Sequence, residues 1–258
     1  MNAEYVTPMV MTWNEEENIG RCLACLEWAG EVVVVDSGST DRTLEICAQF
    51  RNVRVVHRAF DNFAAQASFG MAQVGTPWVL ALDADYILPV DFLAALKAFD
   101  STDKLAASVR FTYCVFGHPL RGTLYPPRFV LHRTQDVTYI RDGHMQRVVV
   151  PGESGSLQVK IYHDDRKPIG RWFASQRNYA EQEAEKLLGA GNGELALVDR
   201  IRRMGWLAPL LIVFWCLVVK GCLWDGRRGL YYTFQRLTAE VMLSICLLDA
   251  RLRGEEKP

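Results

Sequence analysis

Trp78-Val-Leu-Ala-Leu-Asp-Ala-Asp-Tyr-Ile-Leu88 is the stretch from which this chain is read. Its apolar run barely alternates, so it predicts a strand buried on both faces rather than one with a wet side. The run stops at two carboxylates, Asp83 and Asp85. In parallel α/β sheets, ligands bind beyond the carboxyl ends of the strands. Asp-x-Asp at such an end offers hard oxygen donors, and Mg2+ or Mn2+ takes carboxylates together with substrate phosphates. The pattern therefore points to a metal-bound diphosphate. The plainer alternative is that one Asp caps a turn and the other is solvated.

Working outward, Tyr5 to Thr12 predicts a first strand, followed by the polar turn Trp13-Asn-Glu-Glu-Glu-Asn18 and a helix with Ile19, Cys22, Leu23 and Leu26 on one face. Glu31 to Asp36 predicts a second buried strand ending on an acid. Gly38 then permits a tight turn, and Ser39 or Thr40 can cap the helix that follows. A third strand, Val53 to His57, and a helix over Ala64 to Val74 return the chain to Trp78. Repeated strand-helix alternation argues for a parallel, right-handed βαβ sheet. Its polar loops, Thr12 to Glu15, Asp36 to Asp41 and Asp83 to Asp85, meet at one edge. A carboxylate at the second strand end suits ribose hydroxyls. Neither G-x-G-x-x-G nor G-x-x-x-x-G-K-[ST] is present, so neither an NAD fold nor a P-loop is supported.

Composition bounds the rest. The chain has 258 residues, half of them apolar, and a formal net charge of −1. That balance argues against a nucleic-acid partner. Cys22 and Cys25 lie in a helical segment with no second pair, which argues against zinc, and the odd, scattered cysteines suggest a reducing compartment. Met1 to Val10 lacks a basic region followed by a long apolar core, so no secretory leader is expected.

Thr12-Trp-Asn-Glu-Glu-Glu-Asn-Ile19, Val32-Val-Val-Val-Asp-Ser-Gly-Ser-Thr-Asp41 and Leu82-Asp-Ala-Asp85 resemble the family 2 glycosyltransferases. The closer likeness is to the lipopolysaccharide-core glucosyltransferase group, which carries Asp-Gly-x-x-Gly after a C-terminal apolar run. Asp225-Gly-Arg-Arg-Gly229 stands there in this chain. The resemblance implies a GT-A (Rossmann-like) mixed sheet flanked by helices, with C-terminal amphipathic and apolar helices. It implies a nucleotide-diphosphate sugar donor, UDP favoured, and Mg2+ or Mn2+. It assigns Thr12, Trp13, Glu15, Asp36, Gly38, Asp41 and Asp83 to the nucleotide sugar, and Asp83 and Asp85 to the metal. Tyr86 stands where the group often has Glu, and Ser37 where many members have a second Asp.

Beyond Asp85 a helix is predicted over Pro89 to Phe99, then strands around Val109 to Val115, Phe129 to Arg133, Val148 to Val150 and Leu157 to Tyr162, forming the acceptor side. Inverting transfer needs a base there to take the acceptor proton. In Tyr139-Ile-Arg-Asp-Gly-His-Met-Gln-Arg147, Gln146 falls near the family's acid and cannot act as one. Asp142 is the nearest carboxylate and His144 the next candidate, although Asp-Gly is also an ordinary turn. His163 could ligate the metal or touch a phosphate, and a lone His at a strand end is more often a capping residue. Arg128, Arg133 and Arg147 could meet phosphates or be solvated charges.

Ile169 to Leu188 predicts a long helix, and Gly189-Ala-Gly-Asn-Gly193 a break, dividing a transferase domain at 1–188 from a helical hairpin at 194–258. Met204 to Val219 is uncharged but marginal as a membrane span, with basic residues on both flanks. Leu230, Phe234, Leu237, Val241, Ile245, Leu248 and Leu252 recur at helical steps. The expectation is a hairpin lying on or dipping into the cytoplasmic face of the inner membrane, as suits a lipid-linked acceptor. A soluble hairpin, or a homo-oligomer joined through these helices, fits the same pattern. Other readings of the whole chain are a catalytically weakened sugar-nucleotide-binding partner protein and a sugar-1-phosphate nucleotidyltransferase.

Overall fold

The computed structural model describes residues 1–142, 145–191, 193 and 195–255. The first part alternates as expected: β1 (Val6–Thr12), α1 (Ile19–Ala24), β2 (Val32–Asp36), α2 (Thr43–Cys47), β3 (Val53–His57), α3 (Phe63–Ala72) and β4 (Trp78–Asp83). The strand of the decisive stretch thus ends at Asp83, and a short β5 (Tyr86–Ile87) resumes beyond the turn. Then come α4 (Phe92–Ala98), β6 (Ala106–Val115), β7 (His118–Pro119), β8 (Arg128–Arg133), β9 (Thr138–Asp142), β10 (Met145–Val149) and β11 (Ser154–His163). The helices α5 (Ile169–Gly189), α6 (Leu197–Arg203), α7 (Leu207–Phe214) and α8 (Gly226–Glu255) follow.

The chain forms two compact units. One comprises residues 1–119 and 125–167, the other 120–124 and 168 onward. The division at Pro168 falls before the glycine-rich break at 189–193, and α5 packs against α8 within the second unit.

In the first unit a nine-stranded sheet runs β3-β2-β1-β4-β8-β6-β11-β5, with β7 on β6. β1 is parallel to β2 and β4, β8 is antiparallel to β4 and β6, and β11 is parallel to β6. Alternate residues of the central strands feed two cores, since successive side chains point to opposite faces. Val10, Val34, Leu80 and Leu82 pack with α1 and α4 residues such as Leu23, Phe92 and Leu96. Met9, Val33, Val35 and Val79 pack with Ala64, Ala67 and Tyr139. This two-sided burial is why the strand sequences show no polar face. The expected strand at 148–150 does not join the main sheet; β10 pairs with β9 as a separate antiparallel hairpin. The Cys22 and Cys25 thiols are free, and the Leu88 N–H points at Cys25 Sγ, 3.2 Å away.

In the second unit Ala180, Ala184 and Leu187 of α5 meet Leu243 and Leu247 of α8. Arg202 bridges Glu183 and Glu240 at 3.2 and 3.1 Å. Among the described residues no single helix is long and apolar enough to cross a membrane. Leu207–Val219 and Cys222–Gly254 form a pair bent by 71° that could do so by length and composition alone. The break falls at Lys220 and Gly221, where Gly221 takes φ +73°, and the Asp-Gly-x-x-Gly motif follows just beyond it. Gly226 has φ +58°, and Asp225 accepts from the Arg121 N–H at 3.1 Å. A Cβ on Gly229 would lie 1.7 Å from the Cys222 carbonyl oxygen.

Gly to Ala inside a helix ordinarily stabilises by roughly 1 kcal/mol. At Gly229 the clash is with backbone, so Gly229→Ala is expected to destabilise instead, by about 3 kcal/mol. Thermal unfolding of the variant checks the sign.

Candidate active site

The register of the central strands sets the site. Thr12 stands level with Asp36, and Met11 with Asp83, so these strand ends share one edge. The first two loops are knitted together by side chains. Asn14 sits at φ +53° and accepts at Oδ1 from the Thr40 N–H at 2.7 Å. Asn14 N–H donates to Ser39 Oγ at 2.8 Å, and Glu15 N–H to Thr43 Oγ1 at 2.7 Å.

Two predicted ligand residues are engaged within these loops. Asp41 accepts from Thr43 N–H and Oγ1 and from Glu16 N–H. Asp36 is fully buried and accepts from Gly38 N–H at 2.9 Å, Ser39 N–H at 3.1 Å and Ser39 Oγ at 2.5 Å. Its carboxylate shapes the turn that carries Gly38, whose φ is +89°. Trp13 is exposed, and Thr12 Oγ1 is buried without a hydrogen-bond partner.

Asp85 lies one turn past β4. Because β5 runs antiparallel to β11 with Tyr86 level with His163, the end of β11 comes beside that turn. His163 Nε2 is 3.1 Å from Asp85 Oδ2, and both residues' remaining polar atoms, Asp85 Oδ1 and His163 Nδ1, are buried and unpartnered. Burial would raise the Asp85 carboxyl, but His163 and Lys167 hold it down at about 2. Burial likewise opposes the imidazolium, yet Asp85 raises the His163 pKa overall.

Asp83 faces differently. Burial and Asp85 raise its pKa, while Arg128 and a hydrogen bond from Tyr86 pull it down. Among the described residues Asp83 does not join Asp85 and His163 in a three-ligand cluster; the acidic group with ligand atoms within 4.8 Å is Glu16, Glu17 and Asp41. Of the expected metal set Asp83, Asp85 and His163, the last two lie within hydrogen-bond distance of each other. Tyr86, standing where the resemblance expects Glu, meets the Tyr125 hydroxyl and packs on Phe111 and His163. The Arg128 guanidinium lies 4.5 Å from the Tyr125 ring centroid.

Sequence reasoning missed the segment after β11. Lys167 Nζ pairs with Glu15 at 2.7 Å, and Asp165 accepts from Asn18 Nδ2 at 2.9 Å. Asn18 Oδ1 in turn accepts from Arg21 and from Arg166 N–H. Asp164 binds Arg21 at 2.6 Å, Arg166 at 2.9 Å and Gly117 N–H at 2.8 Å. Burial lifts the Glu15 carboxyl to about 7 against the pull of Lys167. The dense charge of Asp164-Asp-Arg-Lys167 directly after a strand was the available signal. The proposed base Asp142 ends β9, level with Met145 in the hairpin, and His144 lies outside the described residues.

A curled mixed sheet whose parallel strand ends carry these acids defines the GT-A class of glycosyltransferases. The sequence model for glycosyl transferase family 2 matches residues 9–157, more than half of the chain, and the chain belongs to that family. A lipopolysaccharide core biosynthesis glycosyltransferase, LpsC of Rhizobium meliloti, is 32% identical over 84 residues, 31% of each chain. An uncharacterized glycosyltransferase of Rickettsia typhi is 33% identical over 81 residues, 31% of this chain and 27% of its own. The matched stretches thus span about a third or less of these relatives. In structure the chain is similar to the mannosyltransferase PcManGT of Pyrobaculum calidifontis, solved with GDP-Man and Mn2+. The TM-score is 0.51 at 15% identity, covering 98% of this chain and 87% of that one.

The Asp85–His163 pair has a definite pH signature in metal-free buffer. The raised His163 pKa means its contribution is full below about 6.5, the ordinary imidazole value, and is lost as pH rises through the folded value. On the acid side the depressed Asp85 contribution is lost as pH falls through about 2. His163→Ala is expected to cost about 3 kcal/mol near pH 6 and clearly less at alkaline pH. Urea unfolding at both pH values, with chelator present, measures the difference.

Proposed function

We propose that this chain is an inverting hexosyltransferase. It moves a sugar from a nucleotide diphosphate, UDP favoured, to a lipid-linked or cell-envelope glycan, with assistance from Mg2+ or Mn2+. The observation that carries the reading is the Asp85–His163 pair at the strand-end edge, Asp85 buried and His163 half-buried, with one buried atom on each member left without a partner among the described residues. The Asp85 carboxylate oxygen is a hard donor that fits either ion. When bound, the ion supplies positive charge to the departing diphosphate. The Mn2+ in the Pyrobaculum mannosyltransferase and the core-biosynthesis role in the name of LpsC support the same reading.

The protein's own groups do the rest. Backbone and side-chain donors of the first two loops, Thr12 to Glu15 and Asp36 to Asp41, receive the nucleoside. Asp83, oriented by Tyr86 and Arg128, turns toward the donor sugar or ribose. The acceptor hydroxyl oxygen attacks the anomeric carbon as the bond to the diphosphate oxygen breaks, and the hydroxyl proton passes to Asp142. His144 is the alternative base. Attack from the face opposite the leaving group inverts the anomeric centre. The apolar stripe of the second unit keeps the enzyme at the cytoplasmic face of the inner membrane, peripheral or monotopic, where a lipid-linked acceptor resides. The same helices are the surface through which two copies would associate.

Thermal shift with a panel of nucleotide sugars, with and without Mn2+, is expected to pick out one donor whose shift depends on the ion. Asp85→Ala should abolish both that ion dependence and transfer. Asp142→Asn should lower kcat by about 10²–10⁴ with donor affinity nearly unchanged. Full activity in that variant would move the base to His144. Tight donor binding with no turnover in the wild type would mark a binding protein, and consumption of a nucleoside triphosphate a nucleotidyltransferase.

A further inference from the structure

The second unit holds a group of arginines that the transferase reading does not use. Arg200 and Arg203 of α6, Met204 and Arg251 of α8 line an open cleft of about 460 Å³. It lies at the sharp corner between α6 and α7 where Gly205 takes φ +82° and where a Cβ would be 3.6 Å from Arg251. The guanidiniums are fixed by carbonyl oxygens. Arg200 donates to Leu195 O at 3.0 Å, Arg203 to Ala190 O at 3.1 Å, and Arg251 to Met204 O at 3.2 Å and to Arg203 O. Such bonds orient a guanidinium without cancelling its charge. Among the described residues the hydrogen bonds of Arg200 and Arg251 all go to carbonyls. Arg202 on the same helix contrasts with them, since Glu183 and Glu240 neutralise it.

Large exposed apolar side chains follow Met204 along α7 and recur along α8. Trp206, Leu210 and Phe214 are 63%, 66% and 59% exposed. On α8, Phe234, Ile245 and Leu252 are 59%, 60% and 59% exposed. Exposed Trp and Leu next to clustered arginine is the composition of helices that lie in a membrane interface. Guanidinium forks bind phosphate in paired hydrogen bonds, and arginines held in place lose less entropy in doing so.

We propose that the cleft of Arg200, Arg203 and Arg251 binds the phosphate of an anionic phospholipid headgroup while Trp206, Leu210 and Phe214 enter the acyl boundary. The inference rests on the reading of the apolar stripe as the membrane face and adds a headgroup site to it. A soluble phosphate would meet the same donors but leave the apolar row beside them uncovered, so the lipid is the occupant that accounts for both.

The test is co-sedimentation of the full-length protein with vesicles of phosphatidylcholine alone or with phosphatidylglycerol added. Wild type is expected to bind the anionic vesicles at least about tenfold more tightly. The pair Arg200→Gln with Arg251→Gln should remove most of that preference. Arg227→Gln with Arg228→Gln, an equal loss of charge on exposed residues of the same unit, should change it no more than about twofold. Met204→Glu places a carboxylate at the cleft without removing any of the guanidinium hydrogen bonds. It should abolish the preference while leaving the melting temperature unchanged, which separates site loss from misfolding. Equal losses in the two arginine pairs would overturn the cleft in favour of diffuse attraction. Equal binding of wild type to both vesicles would overturn the cleft and leave the membrane face standing. No binding to either would overturn both. Release from anionic vesicles by inorganic phosphate, beyond that caused by chloride at matched ionic strength, would show a soluble-anion site and overturn the lipid assignment.

Discussion

The parallel pairing of β1 with β2 on one side and β4 on the other is the constraint on which the site depends. It places Thr12 level with Asp36 and Met11 level with Asp83, so chemistry separated along the chain arrives at one edge. A slip of one residue in either pairing would turn the acid of that strand end into the opposite core, because side chains alternate across a sheet. The valine-rich strands fill both cores, Val32 and Val34 on one side and Val33 and Val35 on the other.

At that edge, burial makes charge expensive, and the structure meets the expense with partners drawn from afar. Asp85 has His163, Asp83 has Arg128 and Tyr86, and Glu15 has Lys167. The opposite directions of the Asp83 and Asp85 shifts follow from this division. Desolvation and its neighbour prevail at Asp83, whereas at Asp85 desolvation is outweighed by His163 and Lys167 together. Two acids one residue apart are thereby given different environments, and different environments permit different roles.

The strand-helix alternation was legible because hydrophobic pattern and turn residues are local properties. Val53–His57 falls where the pattern put it, and the other early strands differ only at their ends. The meeting of Asp85 with His163 was only half legible. Each was a candidate, but their contact depends on the antiparallel seating of β5 against β11, which no local pattern records. Asn18 was missed altogether. Its partners Asp165 and Arg166 lie 147 and 148 residues along the chain, and a buried amide in a polar loop looks like any other. Asp36 and Asp41 show the converse. Their positions were read correctly, yet their oxygens serve the loops, because short acids after a strand satisfy nearby N–H groups first. The glycines at 189–193 mark the end of a helix, and say nothing of which body that helix packs upon.

Residues 120–124 belong with the helices although they sit between strands of the sheet in sequence order. Leu124 N–H donates to the Tyr232 hydroxyl at 3.0 Å, and Arg121 lies 3.6 Å from Asp225. The helical unit is therefore not an appendage that can be trimmed from one terminus. Any shortened chain retains the five-residue excursion and strips it of the side chains that hold it. Protein engineers wanting a more tractable enzyme should repaint the outer residues of the helices rather than sever them.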